Sequence, residues 1–129
     1  MFADTKAYSG FAVKDLQKAQ EFYGETLGLN VSVVSEGNLI SLDHADEQVT
    51  LVYLKDDVQP GNYTILNFPV DDIDKAVEEL GARGVKFERY EGFDQDEKGI
   101  SRGIEQGQGP DIAWFMDPSG HILSVLQEG

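Results

Sequence analysis

The chain has 129 residues, 40% of them hydrophobic and 10% aromatic, which suits one ordinary folded domain and argues against whole-chain disorder. Ten Lys and Arg stand against 24 Asp and Glu, and the resulting net charge of −14 repels phosphate backbones and anionic lipid headgroups, so neither nucleic acid nor a membrane surface is expected as a partner. The absence of cysteine removes disulfides, thiolate metal sites and thiol nucleophiles, and the lack of a long apolar run or an apolar amino-terminal core points to the cytoplasm.

In chain order, residues 7–14 alternate apolar with small or polar positions and read as a strand that enters a helix. Asp15 has the chemistry of an N-cap, because its carboxylate can accept from the first free helical amides. Leu16, Ala19, Phe22, Tyr23 and Leu27 then share one helical stripe, and Gly28 provides the exit. Strand-like runs follow at 29–34, 39–42 and 49–54, with the acidic connection Asp43-His44-Ala45-Asp46-Glu47 read as a solvated hairpin end. A linker with Pro60-Gly61 covers 56–62.

The pattern then repeats. Phe11-Ala12-Val13-Lys14-Asp15-Leu16-Gln17-Lys18-Ala19 aligns with Phe68-Pro69-Val70-Asp71-Asp72-Ile73-Asp74-Lys75-Ala76, and Gly28-Leu29 has its counterpart in Gly84-Val85. Asp72 becomes the second N-cap, and Ile73, Ala76, Val77 and Leu80 the second stripe. Strands are expected at 85–90, 112–116 and 122–126, the last two joined by the tight turn Asp117-Pro118-Ser119-Gly120. The glycine-rich stretch 91–111 exceeds an ordinary connection and reads either as a mobile excursion or as a lid, with Lys98 and Arg102 as unusual cations in an acidic chain. The expected fold is α+β: two βαβββ modules, eight strands and two helices, in one domain over 1–129, with module one at about 7–55 and module two at about 63–127.

Three segments resemble the vicinal oxygen chelate superfamily, which groups glyoxalases, bleomycin-resistance proteins, fosfomycin-resistance enzymes and extradiol dioxygenases. They are Phe11-x-Val13-x-Asp15-Leu16 leading to Phe22-Tyr23 and Leu27-Gly28-Leu29, its partner between Phe68 and Gly84, and Ala113-Trp114-Phe115-Met116-Asp117-Pro118-Ser119-Gly120-His121. The resemblance implies two modules whose sheets curl around a shared cavity. It also implies divalent-metal ligands, in the metal-using members, at positions that here hold Tyr8, Ile65, Ser124 and either Thr50 or Leu51. None of these is His, Asp or Glu, and isoleucine has no electron pair to donate, so no metal and no other cofactor is expected. His44 and His121 read as connection and turn residues rather than as ligands or catalysts.

Strand alternation selects the remaining candidates. Phe11, Val13, Leu66, Phe68 and Val70 should pack under the helices, which turns Tyr8, Ile65 and Asn67 to the opposite face together with Ser124. Trp114 and Met116 share a face of their own strand and are assigned to the same side. The expected ligand-binding set is thus Tyr8, Ile65, Asn67, Trp114, Met116 and Ser124, an apolar surface with a few polar handles that suits a small organic molecule. Three functions fit these residues: a metal-independent binding protein for a small ligand, a metal-dependent lyase, isomerase or dioxygenase of the glyoxalase type with displaced ligands, and an interaction subunit that uses its curved sheet as an interface. The resemblance further implies a homodimer.

Overall fold

The computed structural model describes all 129 residues, which divide into two units, Met1–Gln59 and Pro60–Gly129. No helix is long and apolar enough to cross a membrane.

In the first unit, β1 (Ser9–Val13) leads to Asp15, whose carboxylate accepts the Lys18 backbone N–H at 3.0 Å and so starts α1 (Leu16–Glu21). The apolar stripe predicts one regular helix as far as Leu27. Instead the final turn, Phe22–Thr26, widens to π-type geometry, and the Leu27 N–H reaches back to the Phe22 carbonyl at 2.9 Å. Tyr23, fully buried in that turn, lies 5.9 Å from Phe11 and 5.1 Å from Phe22 between ring centroids. Gly28 leaves the turn at φ 75°, a conformation that a side chain would strain. Next come β2 (Asn30–Ser35), β3 (Leu39–Asp43), a short 3-10 turn and β4 (Val49–Leu54). The sheet order is β1-β4-β3-β2, with β1 and β4 parallel and the other pairs antiparallel. α1 packs on β3 and β4, over a face that carries the buried Ile40, Leu42, Thr50 and Val52.

The second unit repeats the path with different residues. β5 (Thr64–Pro69) is followed by α2 (Ile73–Ala82), which Asp72 caps by accepting the Lys75 N–H at 3.1 Å. The Ile73 N–H, otherwise an orphan of the first turn, donates to Gln127 Oε1 at 2.9 Å. Gly84 makes the exit at φ 91°. β6 (Phe87–Glu88), β7 (Ser101–Arg102), β8 (Asp111–Met116) and β9 (Ile122–Gln127) complete a sheet of order β5-β9-β8-β6, with β7 also paired to β8. Parallel β5 and β9 correspond to parallel β1 and β4, so the two units share one topology. α2 packs Ile73 and Val77 on the face that carries Ala113, Phe115, Leu123 and Val125, each at most 2% exposed. Burying side chains of the size of Leu123 and Phe115 contributes about 1.5–3 kcal/mol each.

Two further features depart from the expected pattern. Only Phe87–Glu88 of the 85–90 run enters the sheet, and the 91–111 stretch returns to the same edge as β7, making nine strands rather than eight. The second is a bulge in β5: Thr64 pairs with Ile122 and Leu66 with Leu123, leaving Ile65 without a partner in the ladder. The Asp117-Pro118-Ser119-Gly120 turn forms as expected. Asp117 Oδ1 accepts the N–H groups of Ser119 and His121 at 3.0 and 2.9 Å, and Gly120 takes φ 95°. His121 is buried behind this turn.

Candidate functional site

The sheet of the second unit carries most of the candidate residues on the face turned away from α2. Cross-strand partners share a face, and the register pairs Asn67 with Ser124, Ser124 with Trp114, and Ile122 with Met116. Asn67, Ser124, Trp114 and Met116 therefore stand on one surface. Ser124 is fully buried and its hydroxyl donates to Asn67 Oδ1 at 2.6 Å. That bond uses the carbonyl of the Asn67 side chain and leaves its amide nitrogen as the donor Asn67 has to offer. Met116 is 40% exposed. Ile65 sits at the bulge, and the register position that strict alternation gives it is taken by Thr64, opposite Ile122. Tyr8 belongs to the first unit, where it precedes β1 and is 65% exposed.

Trp114 is 8% exposed, and two other aromatic rings lie against it. Tyr90 meets it edge to face at 5.6 Å and Phe93 lies tilted against it at 4.8 Å. Neither ring is in the expected ligand-binding set: Tyr90 ends the expected 85–90 strand, whose alternation that set does not use, and Phe93 lies in the glycine-rich stretch beyond it. The available signal was Glu88, which pairs with Trp114 and so places Tyr90, two residues on, along the same face. The Tyr90 backbone N–H donates to Gln95 Oε1 at 2.9 Å, while Gln95 Nε2 donates to the carbonyls of Glu88 and Gly99. Tyr90 Oη is buried and has no hydrogen-bond partner. Burial, and secondarily the charge of Glu88, raises the phenol above its ordinary pKa, so it stays protonated.

The rest of the 91–111 stretch is fastened to α2. Arg102 donates to both carboxylate oxygens of Asp74, at 2.7 and 3.1 Å, and to Asp96 at 3.0 Å, with Asp111 3.6 Å away. Lys98 reaches Asp74 and Glu78 at 3.1 and 3.0 Å. The Arg102 and Lys98 donors hold the Asp74 carboxyl far below the usual carboxylate range, and Asp74 in turn holds Arg102 firmly charged. Asp96 also accepts the N–H groups of Lys98 and Ile100, and Ile100 is fully buried. The two cations noticed in the sequence thus anchor the excursion that carries Phe93.

In the first unit, the face turned away from α1 carries Asp43 between two hydroxyls. Ser32 donates to one carboxylate oxygen at 2.5 Å and Ser41 to the other at 2.7 Å, which lowers the Asp43 pKa. Thr50 stands on the opposite, helix-covered face, where its hydroxyl bonds Ser9 at 2.8 Å and His44 Nε2 at 2.9 Å. His44 is thus tied to a buried strand residue rather than belonging to a fully solvated hairpin end. The positions that the resemblance assigns to metal ligands do not suit a divalent ion. Ile65 has no lone pair, the Ser124 hydroxyl is engaged with Asn67, and no three His, Asp or Glu side chains converge on one point.

Known proteins share this fold. The family model described as Glyoxalase/Bleomycin resistance protein/Dioxygenase superfamily matches residues 7–125. Among solved structures, the antibiotic binding protein TnmS3 from Streptomyces sp. CB03234 is similar with a TM-score of 0.66 at 23% identity, covering 98% of each chain. The glyoxalase family protein from Enterococcus faecalis also gives 0.66 at 23% identity, over 98% of this chain and 99% of that one. A mutant of the genomically encoded fosfomycin resistance protein FosX from Listeria monocytogenes, complexed with Mn(II) and 1S,2S-dihydroxypropylphosphonic acid, gives 0.67 at 16% identity, over 95% and 89%. No curated protein matches the chain. At these identities the structural likeness establishes the fold, and the family match over nearly the whole sequence establishes the lineage. The chain belongs to the Glyoxalase/Bleomycin resistance protein/Dioxygenase superfamily.

Proposed function

We propose that the protein binds a small, partly aromatic organic molecule without a metal ion, on the face of the second module's sheet that carries Trp114, Met116, Asn67 and Ser124. The observation that supports this reading most directly is the grouping of three aromatic rings, Tyr90, Phe93 and Trp114, beside the Ser124–Asn67 hydrogen bond. Aromatic area supplies affinity at small entropic cost, and the Asn67 amide supplies orientation. The likeness to an antibiotic binding protein supports a small-molecule ligand. A chain of net charge −14 favours neutral or cationic compounds over anions.

Trp114 is the only tryptophan, so its fluorescence reports this surface alone. Titration with neutral and cationic aromatic compounds should give saturable quenching that survives removal of metals with EDTA. Trp114→Ala should weaken binding, followed by calorimetry, by at least about tenfold. A flat response to the whole panel, or binding that vanishes on chelation and returns with one divalent ion, defeats the proposal.

A further inference from the structure

We propose that Tyr90 selects the ligand, its phenolic hydroxyl donating to a carbonyl oxygen on a neutral, flat aromatic molecule seated against Trp114. This rests on the binding reading above and sharpens it to a chemical class.

The argument begins with Tyr90 Oη, the one buried side-chain oxygen or nitrogen without a hydrogen-bond partner. An unpaired buried hydroxyl is unfavourable, and folded proteins keep such groups rarely and often at functional positions. Its location is also well determined. Gln95 holds the Tyr90 backbone, Trp114 holds the ring edge to face at 5.6 Å, and the Arg102–Asp74 and Lys98–Glu78 bonds hold the following segment to α2. The hydroxyl is therefore presented by a supported frame rather than by a free loop. Its chemistry then limits the ligand. A protonated phenol offers one hydrogen, which calls for an acceptor. Glu88, paired with Trp114, puts a carboxylate near the same ring and disfavours an anionic acceptor such as a carboxylate or phosphonate. A neutral carbonyl satisfies both conditions, and the adjoining rings select a planar aromatic framework around it.

A matched pair of probes tests this on the intact chain: 2-acetylnaphthalene, which has the carbonyl, and 2-ethylnaphthalene, which lacks it. Tyr90→Phe removes one oxygen and keeps the ring. It should weaken binding of the acetyl probe about three- to tenfold and leave the ethyl probe within about twofold. The infrared carbonyl stretch of the bound ketone should lie at lower wavenumber in the wild type than in Tyr90→Phe. Without ligand, Tyr90→Phe should raise the thermal midpoint, because an unpaired polar atom has been removed from a buried place. A lowered midpoint means that water or a protein group already satisfies the hydroxyl, and overturns the inference. Equal effects on both probes, with binding intact, overturn the inference and leave the binding reading standing. Failure of both probes and of every other aromatic compound to bind removes both together.

Discussion

The two modules follow the same path through space and put different chemistry on it. Each has a strand, an Asp-capped helix, a glycine exit and a sheet in which the first strand lies parallel to the last. In module one the face away from the helix carries a carboxylate held by two serine hydroxyls, and its second strand, β2, spans six residues. In module two that face carries tryptophan with two further aromatic rings, and the corresponding strand, β6, has shrunk to two residues. The chain released from β6 goes into the 91–111 excursion, which brings Phe93 over Trp114 and fastens itself to α2 through Arg102. Backbone topology tolerates this divergence because it depends on caps, exits and buried faces, which both modules retain, whereas the opposite faces are free to vary.

The largest test of that separation removes a core ring from each module. Tyr23 and Phe115 are both almost fully buried on the helix side of their sheets, and replacing either with alanine should cost about 3–5 kcal/mol in chemical denaturation. A loss below about 1 kcal/mol in one module but not the other breaks the equivalence of the two cores.

A smaller effect should distinguish module two alone. Arg102→Met leaves Asp74, Asp96 and Asp111 without their shared cation and should cost about 1–2 kcal/mol, since the cluster is only partly buried and so partly screened. Hydrogen exchange should quicken over 91–111 and remain unchanged in β1 to β4. The pH dependence has a definite sign. Asp74 is depressed from a reference near 3.8, so its contribution is complete above that value and is lost as pH falls through the lower folded-state value. Wild-type protein should therefore keep the excursion protected at about pH 4 and release it only in stronger acid. Loss of protection near pH 5 means that the clasp does not govern this segment.

The smallest effect should be symmetric. Asp15→Ala and Asp72→Ala each remove one N-cap bond, of 3.0 and 3.1 Å, and each should cost about 1 kcal/mol. Agreement to within about 0.5 kcal/mol supports equivalent caps. A marked excess at Asp15 would locate extra strain in the π-type turn that ends the shorter helix.

The duplication, both N-caps, both glycine exits, the Asp117–Gly120 turn and the side of the sheet on which Asn67, Ser124 and Trp114 stand were all legible in the order of residues. These depend on interactions within a few residues, or on a two-residue strand period, and such signals are written locally. Three features emerge only from long-range packing: Ile65 falls out of register, Thr50 turns to the helix with Ser9 and His44, and Tyr90 and Phe93 lie against Trp114. The same packing decided the partners of Arg102, since Asp74 lies 28 residues away along the chain. A bulge and a clasp of this kind exist only once distant strands and a helix have chosen their register, and no local period or cap records that choice.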